Sequence, residues 1–248
     1  MSVTAAHDSR VDTDADAAAA RPAAAPESSA GGPVVVFDCD NTLIAGDVLK
    51  SFIVELVGHG PRLVAAVASV PVLSPLLLAH TTRRHAISGW LWIATVGRSD
   101  DELARRMDAY VEEHLGPGGD ALIAAGVARV GEHVERGDRV VVATAAADPL
   151  ARRLLDRAGL GGLAVVASPV RRVLGGWTLV VHCWGPFKPT QLAAAGFPGP
   201  YAGAYSDSFV DLPLLRLAGT ATVVNPSRLV AWRLRRALLD LVDVAWEH

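Results

Sequence analysis

Cysteine and lysine are both scarce in this chain, with two of each in 248 residues. Two cysteines, Cys39 and Cys183, cannot build a disulfide framework, so free thiols in a reducing compartment are expected. No CxxC or HExxH spacing occurs, which excludes the common structural and hydrolytic zinc sites. No tandem repeat is present. A basic excess is missing too. Net charge is −3, and residues 1–32 account for all of it with five acids and two arginines. The remaining body balances to zero, which argues against nucleic acid as a partner. The first residues lack a basic segment followed by an apolar one, so no secretory leader is expected and a cytoplasmic protein is.

What is present falls into three stretches. Residues 1–32 are rich in Ala, Asp, Pro and Ser and hold no aromatic residue. Such a segment buries too little apolar area to offset its ordering entropy, and a disordered tail is predicted. From Pro33 onward, short apolar runs read as fully buried strands. These are Val34 to Phe37, Arg139 to Ala143, Leu163 to Ala167, Ala202 to Tyr205 and Thr220 to Val224. Helical patterns such as Pro149 to Ala158 and Pro189 to Ala195 separate most of them. That alternation predicts an α/β fold with a parallel sheet and helices on both faces. Val170 to Leu174 and Trp177 to His182 flank Gly175-Gly176 and predict a hairpin. Residues 46–119 read as helical throughout and are expected to form a cap, leaving 33–45 and 120–248 as the core.

Polar residues cluster where the strands end. Asp38 and Asp40 follow the first strand and Thr144 follows the second. Lys188 lies in the loop after the hairpin, and Asp207 and Asp211 follow Tyr205. The carboxyl ends of parallel strands are the natural ligand positions of such a sheet. Carboxylates, one hydroxyl and one amine suit phosphoryl transfer. A carboxylate can attack phosphorus, and a second can donate and then take back a proton. Because nucleophile and substrate are both anionic, cations are needed, and Mg2+ suits an all-oxygen ligand set.

At these residues the sequence resembles the haloacid dehalogenase superfamily of phosphatases. The resemblance rests on Asp38-Cys39-Asp40-Asn41-Thr42-Leu43, on Thr144, on Lys188, and on Ser206-Asp207-Ser208-Phe209-Val210-Asp211, in that order. It implies a Rossmann-like sheet with a mostly helical cap of the C1 type. It also implies Asp38 as nucleophile, Asp40 as general acid and base, and Thr144 and Lys188 on the phosphoryl oxygens. Asp38, the Asp40 carbonyl and Asp207 would hold magnesium, with Asp211 and Thr42 in support. Two departures stand out: Ser206 replaces a glycine of many relatives, and Thr144-Ala145-Ala146-Ala147 carries no glycine. Softer similarity, in Gly176-Trp177-Thr178-Leu179, Cys183-Trp184-Gly185 and Asp211-Leu212-Pro213-Leu214-Leu215, points to the branch containing phosphoserine phosphatase. Within that branch it points to bacterial phosphatidylglycerophosphatase C. A phospholipid head group is the substrate this implies. A small metabolite such as phosphoserine is the rival, and a catalytically silent binding module is a third reading.

Three features carry two readings each. Asp47 reads as a helix N-cap, with substrate contact as the alternative. Residues 63–82 and 86–97 carry no formal charge. They read either as a buried helical hairpin or as a hairpin lying on a membrane surface, with Trp90 and Trp92 at the lipid interface. Pro71, Ser74 and Pro75 argue against a full span. The segment from Arg228 to Trp246 reads as a basic amphipathic surface helix, with anionic lipid as the less favoured partner.

Overall fold

Four consecutive apolar residues after Pro33 form β1 (Val34–Phe37), and the sheet grows outward from it in both directions. The computed structural model describes residues 31–238 and 241–246. The expected disordered tail lies outside them, apart from Gly31 and Gly32.

The sheet has six parallel strands in the order β3-β2-β1-β6-β7-β8. These are β2 (Arg139–Ala147), β3 (Ala164–Ser168), β6 (Tyr201–Ser206), β7 (Ala218–Val224) and β8 (Leu241–Val244). The chain winds from β1 to β2 and β3 on one side, then from β6 to β8 on the other. The order therefore reverses beside β1, and a crevice opens there at the carboxyl ends. Because strand side chains alternate, the valines of β1 and β2 feed two cores. Val35, Phe37, Val140 and Val142 enter one, and Val36, Val141 and Ala143 the other. On the first face lie α5 (Ala124–Glu135) and α6 (Asp148–Arg157), through Val130, Leu150 and Leu154. On the second lie α7 (Lys188–Ala194), α8 (Leu212–Leu215) and α9 (Arg228–Ala237), through Leu192, Leu214 and Leu234.

Between β1 and α5 come four helices: α1 (Val48–Val57), α2 (Pro61–Leu73), α3 (His80–Thr95) and α4 (Asp100–Leu115). The chain departs and returns at one point, where Ala45 N donates to Ala121 O and Ile123 N to Leu43 O. The hairpin β4 (Val170–Val173) and β5 (Gly176–Leu179) packs on α3. Its turn needs positive φ at Leu174 and Gly175, as a two-residue hairpin loop does. Trp92 Nε1 donates to Val173 O at 2.8 Å, Trp177 N to Thr95 Oγ1 at 2.7 Å and Leu179 N to Ser88 Oγ at 3.1 Å.

One open reading is narrowed and two expectations need correction. Trp92 binds the hairpin, and Trp90 Nε1 donates to Ser69 Oγ at 3.1 Å, so both tryptophans turn inward rather than to a lipid interface. Arg228 to Trp246 is not one helix. It breaks after Ala237, gives the unforeseen edge strand β8, and leaves Trp246 buried near Tyr205. Leu239 of that segment lies outside the described residues. Lys188 is not in a loop but opens α7, directly after a 3-10 turn at Gly185–Phe187.

Candidate active site

The tightest polar contacts at the crevice centre on Lys188. Its Nζ lies 2.7 Å from Asp38 Oδ1 and 2.7 Å from Asp211 Oδ2. All three side chains are nearly inaccessible. Gly185 makes this approach feasible: at φ 47° a Cβ there would sit 3.0 Å from Val210 O, so the turn carrying Lys188 can close onto the loop carrying Asp211. Ser206 Oγ donates to the same Asp211 oxygen at 2.7 Å and accepts from Ser208 N at 3.2 Å. The residue that departs from the family pattern is therefore built into the site as a clamp on Asp211.

Asp40 stands across from this pair. Val48 N, at the start of α1, donates to Asp40 Oδ1 at 3.1 Å. Between the two acids Cys39 is fully buried, and burial, then Asp40 and Asp38, keep its thiol protonated. Asn41 adopts φ 53°, a left-handed conformation that asparagine tolerates. Its Oδ1 accepts from Gly46 N at 2.8 Å, which leaves its amide free to bond Asp207. Asn41 thereby ties the loop after β1 to the loop after β6.

These residues form the floor of a cavity of about 720 Å³. Asp38, Asp40, Asp207, Asp211 and Lys188 all line it, so the structure brings five of the predicted residues together. Asp47 caps α1, accepting from Lys50 N at 2.9 Å, and also lines the cavity. Thr144 and Thr42 are placed differently. Thr144 is buried, its Oγ1 accepts from Ala146 N at 3.1 Å, and the lining residue is its neighbour Ala145. The β2–β3 register shifts between Ala143 and Ala147, and that irregularity turns Ala145 toward the cavity. Thr42 is buried with its hydroxyl unpartnered.

The sequence reading missed Arg83, His182 and Trp184, all of which line the cavity. The Arg83 guanidinium lies 4.4 Å above the Trp184 ring, and its Nε is buried without a partner. His182 is 8% exposed, and burial, then Arg83 and Lys188, push its pKa down to about 4. The signal available was Arg83-Arg84-His85 as an isolated polar island between two uncharged runs.

The floor has more negative charge than its lysine can balance. Burial would drive the Lys188 pKa down, but Asp211 and Asp38 outweigh it and hold the ammonium charged. Even so, burial raises the pKa values of Asp38, Asp40 and Asp207, and neighbouring acids add to it, with Asp40 reaching about 7. Asp211 Oδ1 is buried with no partner. An all-oxygen, over-anionic donor set fits a hard divalent cation. Among the described residues, no group of three or more His, Cys, Asp or Glu is placed to hold a metal. Magnesium does not need one, since it is commonly held by one or two carboxylates and keeps several waters.

The haloacid dehalogenase-like hydrolase profile matches residues 35–216. A Mycobacterium tuberculosis protein named as a probable phosphatase is 33% identical over 109 residues, 40% of this chain and 36% of that one. A phosphoserine phosphatase of the same organism is 34% identical over 99 residues, 38% of this chain and 32% of its own length. The match thus spans about a third of these relatives. A protein of unknown function from Bordetella pertussis shares the fold with a TM-score of 0.64 at 20% identity, covering 86% of this chain and 99% of that one.

Proposed function

Because the chain belongs to the haloacid dehalogenase-like hydrolase family, we propose that it hydrolyses phosphate monoesters through a covalent phosphate on Asp38. Lys188 holds the Asp38 carboxylate from one side and leaves its other oxygen to face phosphorus. An Asp38 oxygen attacks, the ester P–O bond breaks, and Asp40 gives its proton to the departing alkoxide. A pKa of about 7 leaves Asp40 protonated often enough to do so. Water then attacks the phosphoryl group, Asp40 takes its proton, and the bond from phosphorus to Asp38 breaks to release inorganic phosphate. Asp38, the Asp40 carbonyl and Asp207 would hold magnesium, which when bound supplies positive charge against the phosphoryl oxygens. Asp211, held by Ser206, keeps the Lys188 ammonium over the site. Residues 46–119 act as the cap that selects the ester.

The observation that carries the substrate reading is the contrast within the cavity. Above the charged floor, the walls are Leu63, Val67, Val70, Leu77, Ile87 and Trp90. A small polar metabolite gains nothing from such walls, whereas the glycerol and proximal acyl carbons of a phospholipid would bury against them. We therefore favour a phospholipid head group carrying a terminal phosphate, such as phosphatidylglycerol phosphate. Arg83 supports a second reading. Its unpartnered Nε would equally anchor the carboxylate of phosphoserine, the substrate named for one relative. Steady-state phosphate release with magnesium, from phosphatidylglycerol phosphate in mixed micelles and from phosphoserine in solution, separates them. A higher kcat/KM for the lipid is expected. A higher value for phosphoserine overturns the lipid assignment and leaves the reaction class standing.

A further inference from the structure

The cap contains a mostly apolar helix, α2, with no buried residue. Its one polar strip, Arg62, Ser69 and the adjacent Leu73, faces α3: Arg62 donates to Val96 O at 3.0 Å, Ser69 accepts from Trp90, and Leu73 packs against Gly89. Leu63, Ala66, Val67 and Val70 turn toward the cavity. At 3.6 residues per turn, Val64, Ala65, Ala68, Pro71 and Val72 are left pointing away from both. Val64 is 68% exposed and Val72 70%, and just beyond the helix Leu78 reaches 89%. A helix facing only water would carry polar residues there.

Charge indicates what the face meets. From Pro61 to Ser99 there is no acid. Arg62, Arg83 and Arg98 turn inward, onto Val96 O, Trp184 and Glu102, which leaves Arg84, early in α3, as the partly exposed cation of the stretch. No acid of this stretch repels an anionic surface. The helix is also continuous with the site: apart from the strip on α3, residues of α2 either line the cavity or face outward, so the face and the apolar wall share one edge. With thirteen residues α2 is about 20 Å long at 1.5 Å per residue, too short to cross a bilayer. Among the described residues no helix is long and apolar enough to do so.

We propose that the outward face of α2, with Leu78, lies in the interface of an anionic phospholipid bilayer and sets the cavity edge at the membrane surface. A lipid head group could then reach Asp38 while its acyl chains stay in the bilayer. The entry route rests on the phospholipid reading above; the docking face does not. Burial of a few valine and leucine side chains plus attraction to anionic lipid gives reversible peripheral binding.

Flotation of the full chain with vesicles tests this. The vesicles are phosphatidylcholine alone, or phosphatidylcholine with roughly one-third phosphatidylglycerol. The wild type is expected to float with the anionic vesicles and little with the neutral ones. V64D/V72D and, separately, L78D are expected to lose about tenfold or more in partitioning. Neither variant touches the cavity lining, so magnesium-dependent hydrolysis of p-nitrophenyl phosphate should stay at the wild-type rate. Failure of the wild type to float, or unchanged flotation of both variants, overturns the proposal. So does light scattering that shows a wild-type dimer split by V64D/V72D, because a second copy then covers the face. Flotation without phosphate release from phosphatidylglycerol phosphate supports the docking face and overturns the lipid-substrate reading alone.

Discussion

The floor and the wall of the cavity are built by opposite rules. On the floor every acid has a partner or neighbour that fixes it: Lys188 bridges Asp38 and Asp211, Ser206 clamps Asp211, Val48 N holds Asp40, and Asn41 binds Asp207. The wall formed by α2 has almost no such ties and is held chiefly through its edge on α3. Chemistry needs fixed atoms, because a displacement of about 1 Å costs orders of magnitude in rate. Admitting a bulky ester needs a surface that is apolar but compliant. On the function proposed above, reaction type and substrate choice reside in separate parts of this chain and should respond separately to mutation.

The floor gives the largest expected effect. Asp38→Asn keeps the shape but removes the nucleophile, and turnover should fall by roughly 10⁴-fold or more on lipid and soluble esters alike. Phosphate release from purified protein measures it, and activity retained on either substrate would place the chemistry elsewhere. Next comes the inner helix. Leu91 on α3 is fully buried, and Leu91→Ala should cost about 2–5 kcal/mol of stability in urea unfolding. Val64→Ala on α2 should stay within about 0.5 kcal/mol. Equal losses would mean that α2 is packed after all.

Acid stability links the two regions through His182. Its folded pKa of about 4 lies below the usual value of 6.5. Between those values the unfolded chain takes up a proton that the folded chain refuses. Stability from this group is therefore complete above pH 6.5 and declines as pH falls toward 4, by about 3 kcal/mol in total. His182→Gln should flatten that part of a Tm-against-pH curve, and an unchanged slope would show that the imidazole is not held neutral. The smallest effect belongs to the wall. Val67→Asp should lower kcat/KM for the micellar lipid by about 10- to 100-fold and leave p-nitrophenyl phosphate almost unaffected. Equal losses on both would erase the distinction between floor and wall.

Much of this was legible in the residues. The first two buried strands announced themselves as uninterrupted valine runs, and acids at strand ends marked the floor, because parallel sheets place ligands there. Positions set by tertiary packing were not legible. Local sequence cannot tell α2 from α3, since each is a helical stretch built around a long uncharged run; the hairpin that covers Trp92 arrives about 80 residues later in the chain. β8 was hidden because four residues of modest hydropathy after a basic helix form a strand only by pairing with β7. Thr144 looked like a free hydroxyl at a strand end, but the irregularity in β2 turns it onto Ala146 N and brings Ala145 forward. Arg83 was overlooked because its partner Trp184 is about 100 residues away.

The most direct test is a crystal structure of the chain with magnesium and beryllofluoride. The account predicts fluoride-ligated beryllium bonded to an Asp38 oxygen, with one metal ion touching both Asp38 and Asp207 and Lys188 beside the fluorides. Beryllium on another residue, or a metal that reaches Asp38 but not Asp207, would contradict it.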